Sequence, residues 1–192
     1  MAAEINILAI CGSTKSTSSN LLLLQAMKEL LPANVVVTLF NGLADLPHFN
    51  TELDNAQVSD TVTDFRRQLR AADGILICTP EYALGVPGTV KNAFDWIVSS
   101  MELSQKPVAL VTASLRGEKA HQSLLGTLLL LGATMTTDTQ LLISFIKSKV
   151  NRDGRITDEE TLSKILHLLR SFTELIANGG ATTAKMRLEL ND

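Results

Sequence analysis

The chain has 192 residues, 45% of them hydrophobic, with 17 basic and 20 acidic side chains and a formal net charge of -3. That is apolar material for one substantial core, and a single domain is expected. A charge so nearly balanced invites neither a nucleic-acid backbone nor an anionic membrane surface as partner.

The amino terminus, MAAEINILAICG, carries an acid where a signal peptide has bases, and its apolar core is too short, so a cytoplasmic protein is expected. INILAI (5–10) reads as a buried strand and NLLLLQAMKELL (20–31) as a helix stopped by Pro32. VVVTLF (35–40) is a second strand, and the spacing of Val58, Val62, Phe65, Leu69 and Ala72 predicts a helix over 58–73. GILICT (74–79) is a third strand, followed by a helix from Pro87 to Met101. PVALVTA (107–113) is a fourth strand, EKAHQSLLGTLLLLGA (118–133) a helix stopped by glycine, and a fifth strand lies within 134–143. The apolar run at 124–133 falls far short of the ~20 residues that span a bilayer. A last helix covers 158–178 and ends at Gly179 and Gly180. Cys11 and Cys78 close two strand-like runs and read as buried free thiols.

Five strands alternating with five helices predict a parallel sheet wrapped by helices, in the flavodoxin-like order 2-1-3-4-5 or a Rossmann-type order. Either puts a ligand beyond the carboxyl ends of the strands, at 12–20, 80–88 and 114–118. The first of these, GSTKSTSSN, runs from a strand into a helix N-terminus. Unpaired N–H groups there favour an anion, the hydroxyls of Ser13, Thr14, Ser16, Thr17, Ser18 and Ser19 add donors, and Lys15 adds a charge. Neither G-x-G-x-x-G nor G-x-x-x-x-G-K-[ST] is present, so a single phosphate monoester fits better than a dinucleotide or triphosphate. The plainer reading, hydroxyls that only cap a helix, remains open at this point. The second loop, TPEYALGVPG, is a rigid shelf: Pro80 and Pro87 remove backbone freedom, while Gly85 and Gly88 let a flat heterocycle approach main-chain N–H groups.

Two stretches resemble the NAD(P)H-dependent FMN reductases, a family of flavodoxin-like fold that includes quinone, azo-dye and chromate reductases. Its pattern G-S-x-R-x-x-S-x-N is matched by Gly12, Ser13, Ser18 and Asn20, and P-E-Y-N-x-S-x-P-G-x-L-K-N-A-x-D-W by Pro80, Glu81, Tyr82, Pro87, Gly88, Lys91, Asn92, Ala93, Asp95 and Trp96. The resemblance implies a three-layer flavodoxin-like FMN-binding domain over 1–178, with strand order 2-1-3-4-5. It implies that Ser13, Lys15, Ser18 and Asn20, with Ser19 beside them, hold the FMN phosphate. Pro80, Glu81, Tyr82, Ala83, Leu84 and Gly85 would run along the isoalloxazine ring, and Ser114, Arg116 and Gly117 would approach from the far side. The activity implied is hydride transfer from NADPH or NADH to FMN and onward to a small acceptor such as a quinone, free flavin, azo compound or metal oxyanion. A flavodoxin-type electron carrier that never uses NAD(P)H is the alternative.

Lys15 stands where the family has Arg, trading a bidentate fork for a point charge. Ala83 and Gly85 replace Asn and Ser, removing two polar side chains at the ring edge. No metal-ligand spacing joins His48, His121 and His167, and no residue is assigned a catalytic role. Apolar residues on more than one face of the 87–101 helix, Phe94, Trp96, Ile97 and Met101, leave an excess for a partner helix to cover, and the resemblance implies a homodimer or homotetramer through this region. The tail 179–192 has no periodicity and is expected to be mobile.

Overall fold

A strand covered on both faces must be apolar throughout, and the two inner strands β3 (Gly74–Thr79) and β4 (Val108–Ala113) are buried at every residue. The structure, a computed structural model, describes residues 3–180. β1 (Ile5–Cys11) is buried from Ile7 onward, while β2 (Val35–Phe40) and the four-residue β5 (Gln140–Ile143) are half-covered edges. All neighbours pair in parallel, in the order β2-β1-β3-β4-β5. This is the flavodoxin-like 2-1-3-4-5 order, and it excludes the Rossmann-type alternative.

The helices α1 (Ser19–Glu29), α2 (Asp60–Ala71), α3 (Gly88–Asp95), α4 (Glu118–Leu130) and α5 (Glu159–Ala177) form the two outer layers. Phe65 of α2, Phe94 of α3 and Leu124 of α4 share one core, on one face of the sheet. Leu23 and Met27 of α1 pack with Phe172 of α5 in the other. Right-handed crossovers therefore bring the loops after all five strands to one edge of the sheet. Among the described residues, no helix is long and apolar enough to cross a membrane.

Two elements differ from expectation. α3 ends at Asp95, not at residue 101, and Met101 takes a left-handed φ of 54°. Phe94, Trp96 and Ile97 are at most 1% exposed within this one chain. The Trp96 indole N–H donates to the Pro47 carbonyl at 2.8 Å, and its ring meets Phe49 edge-on. The apolar surplus that predicted a partner is thus covered by the chain's own 46–49 loop, leaving Val98 and Met101 exposed. The stretch 134–143 is also not one strand. Thr136 and Thr139 form a capping box around a 3-10 turn, which leaves only Gln140–Ile143 for β5.

Cys11 and Cys78 are free, buried and opposite one another in the β1–β3 register. Burial pushes both thiols above their ordinary value, which makes them packing residues and not nucleophiles. Beyond Gly180, the tail lies outside the described residues.

Candidate flavin site

The loop from β1 to α1 begins where two strands nearly touch. A Cβ on Gly12 would lie 2.1 Å from the Thr79 hydroxyl oxygen, so only glycine fits, and its N–H donates to the Cys78 carbonyl at 2.8 Å. At the other end Ser18 is extended and caps α1, its Oγ accepting from the Asn20 N–H at 3.2 Å. No acidic residue occupies the first turn of α1, so its positive end is left uncompensated. The Asn20 side chain is buried. Its Nδ2 donates to the Ala113 carbonyl at 3.0 Å, and its Oδ1 accepts from the Cys78 thiol at 3.3 Å. It thereby fastens the start of α1 to β3 and β4, and its side chain serves the loop's shape more than a ligand.

The shelf after β3 is a two-residue hairpin. Tyr82 and Gly85 exchange backbone bonds of 3.0 and 2.9 Å around Ala83 (φ 49°) and Leu84 (φ 60°), the geometry of a type I′ turn. Tyr82 Oη lies 3.2 Å from Ser13 Oγ, joining the shelf to the first loop. Glu81 turns away from both. Its carboxylate accepts from the Lys119 and Ala120 N–H groups at 2.9 and 3.0 Å, and more weakly from Gly117 at 3.4 Å. The N-cap of α4 is Gly117 (φ 104°), which has no side chain to offer, so a carboxylate from another loop does the capping. The Ser114 hydroxyl reaches the Glu81 carbonyl at 3.4 Å and draws the two loops together.

Between these loops lies a cavity of about 480 Å³. Ser13, Lys15, Ser18, Ser19 and Asn20 line one end, and Pro80, Tyr82 and Ser114 continue the wall. Glu81, Leu84 and Arg116 instead line an adjoining cavity of about 430 Å³ that shares Leu115 and Phe145 with the first. Ala83, Gly85 and Gly117 line neither.

The sequence reading missed a fourth wall, Phe145, Ile146, Lys147 and Ser148, in the turn that follows β5. The signal was available, because every loop after a strand of a parallel sheet opens on the same edge. His121 belongs to the core beneath: Nδ1 lies 2.9 Å from the Thr112 hydroxyl and Nε2 2.6 Å from Gln140 Oε1. An amide oxygen only accepts, so Nε2 carries the proton, and burial holds the imidazole below its ordinary pKa. Among the described residues no cluster of His, Cys, Asp or Glu could hold a metal.

The cavity's lining is mixed. Hydroxyls, two lysines and an open helix N-terminus share it with Pro80, Leu115, Phe145 and Ile146, and among the described residues no carboxylate lines it. That donor set fits a ligand with a phosphate at one end and a flat apolar body at the other, as FMN has, and the volume is ordinary for such a ligand.

A sequence model described as NADPH-dependent FMN reductase matches residues 5–147. The chain is 35% identical over 181 residues to an NADH:(hydroxy)cinnamate reductase subunit of Vibrio ruber, covering 90% of this chain and 89% of that one. It is 29% identical over 183 residues to a quinone reductase of Escherichia coli, covering 92% and 97%. FerB, a flavoenzyme NAD(P)H:(acceptor) oxidoreductase from Paracoccus denitrificans, shares the fold with a TM-score of 0.73 at 23% identity, covering 92% of this chain and 100% of that one. The strand order, the loop chemistry and a family match over most of its length agree: this chain belongs to the NADPH-dependent FMN reductase family.

Proposed function

We propose that the chain is an FMN-dependent NAD(P)H oxidoreductase, passing electrons from NADPH or NADH to a small-molecule acceptor such as a quinone, free flavin, azo compound or metal oxyanion. The observation that carries this is the cavity at the β1/β3 switch point, lined by hydroxyls, lysines and apolar side chains and, among the described residues, by no carboxylate, in a chain of this family. Lys15, the Ser18 and Ser19 hydroxyls and the N–H groups opening α1 would hold the phosphate. Pro80, Tyr82 and Ser114, which line the same cavity, would border the ring, and Arg116 lines the adjoining cavity. FMN would supply the redox chemistry. The protein's own work is to bind and orient. Leu115 and Phe145 offer apolar surface on the cavity wall, and the exposed Tyr82 and Leu84 leave an approach for donor and acceptor in turn.

Titrating the purified chain with FMN, then adding NADPH or NADH and a quinone, tests this reading. Stoichiometric flavin binding, bleaching by the nicotinamide and sustained NAD(P)H oxidation are expected. Binding without bleaching would make the chain an electron carrier instead. A cytoplasmic location, where NAD(P)H is supplied, and a homo-oligomer built around the exposed Val98 and Met101 belong to the same reading. Gel filtration checks the second, and a species of one chain's mass removes it.

A further inference from the structure

Among the described residues only two charged side chains line the principal cavity, and both are lysines. Lys15 stands in the loop from β1 to α1, and Lys147 in the 3-10 turn Ile146–Ser148 beyond β5, on another wall. Ile146 is buried in the same core as Leu23 and Leu24 of α1. The turn therefore stands on α1's face of the sheet, not on the face of the α2–α4 core, and Lys147 lines the same cavity as the residues that open α1.

The backbone around Lys147 is held in place. Phe145 takes a left-handed φ of 56°, its N–H donates to the Leu115 carbonyl at 3.2 Å, and the Ile146 N–H donates to the Ser114 carbonyl at 3.1 Å. The Ser148 hydroxyl is spent on the Phe145 carbonyl at 2.9 Å. Among the described residues no carboxylate forms an ion pair with Lys147. A lysine with an ordered backbone, no ionic partner and a place on the wall of an acid-free cavity has its charge available to a ligand.

A phosphate monoester carries about -1.5 to -2 charges near neutral pH. Lys15 offers one positive charge on a flexible stem, and the helix end about half of another. Up to about half a charge remains to be met. We infer that Lys147 is a second cation for the cofactor's phosphate, gripping it from across the cavity opposite Lys15. This rests on the FMN reading above. It also complements Lys15, a point charge where the resembled pattern has a bidentate arginine: the contacts come from two walls, not from one fork.

The test compares FMN with riboflavin, which has the same ring and no phosphate, by fluorescence titration of the full chain stripped of flavin. Wild type should prefer FMN strongly. K147A should weaken FMN binding roughly tenfold, as loss of a charge-assisted contact does, and leave riboflavin binding unchanged. The dependence of log Kd for FMN on log salt should become shallower, and K147R should restore most of the loss. Lys147 is exposed, so these variants fold. FMN binding unaltered in K147A, or FMN and riboflavin weakened alike, overturns the inference, while loss of the FMN preference in K15A would still sustain the cofactor reading. A wild type that binds FMN no better than riboflavin overturns both.

Discussion

Ala83 and Leu84 both have positive φ, and neither is the Asn or Gly that a type I′ turn favours. The left-handed conformation costs an L-residue about 1–2 kcal/mol, and Asn less than most. Ala83→Asn, the residue of the resembled pattern, should therefore stabilise the fold by about 0.5–1 kcal/mol, read as a higher urea midpoint with unchanged slope. His121 gives the second prediction at this scale. Burial holds its folded pKa below the ordinary value, so the unfolded chain binds a proton first and stability falls as pH drops below about 6.5 toward the folded value. Urea midpoints at pH 7 and pH 5 should differ, and His121→Gln should reduce the difference. A midpoint that is flat across this range in wild type would contradict the burial argument. Part was legible here from residue type alone: two buried thiols, and hydroxyls that cap a helix, a role Ser18 takes. The close approach was read at Gly85 and Gly88, whereas the structure puts it at Gly12. Glu81 was not, because its N–H partners lie 36 to 39 residues away and only the fold brings them near.

Elements were legible wherever period and stop signals agreed. α2 has one apolar face of Val62, Phe65 and Leu69, and the Gly74–Thr79 strand needed no correction. α3 was overextended because Trp96 and Ile97 continue an apolar pattern, although what buries them is a turn and a loop, not a helix surface. Arg66 shows how that turn is held. From α2 it donates to the Trp96 carbonyl through Nε at 3.0 Å and to Asp54 Oδ1 at 2.7 Å, with both charged side chains 11% exposed. Arg66→Ala strips donors from a carboxylate and a carbonyl at once. It should destabilise the fold by about 1–3 kcal/mol, measured by denaturant unfolding, and raise the exposure of Trp96 to a fluorescence quencher. The hydrogen bonds from Ser99 and Arg66 hold Asp54 below the usual carboxylate range. Its contribution is therefore full at neutral pH and is lost as acid titrates the folded carboxyl. The fifth strand was the least legible element, since threonine hydroxyls that divert the backbone leave no periodic trace. The Phe145–Ser148 wall was missed although the topology rule that placed the other loops applies equally to the loop after β5.

For the whole molecule, alternation of strands and helices was sufficient to predict the sheet and the edge where ligands bind. It could not separate two strand orders, because both satisfy the same right-handed crossovers. The observed order puts the loops after β1, β3, β4 and β5 around one cavity. A ligand seated there touches most of the chain's layers, so its binding should be linked to global unfolding. FMN at about 100 times its Kd should add about 2.7 kcal/mol to stability, seen as one cooperative transition moved to higher temperature. Riboflavin at the same concentration should add less. A thermal midpoint indifferent to FMN would mean that the cavity is not where the flavin sits.

The tether made by Asn20 bears on how such a protein changes over time. Gly12 and Ser13 are buried at one end of the first loop, and Ser18 and Asn20 at the other, while residues 14–17 are exposed between them. Both ends are thus anchored independently of the middle. Substitutions in that middle can alter the grip on an anion while moving fold stability by no more than about 0.5 kcal/mol. A lineage can therefore exchange arginine for lysine at position 15, or shift part of the charge to a distant turn, without a compensating change in the core.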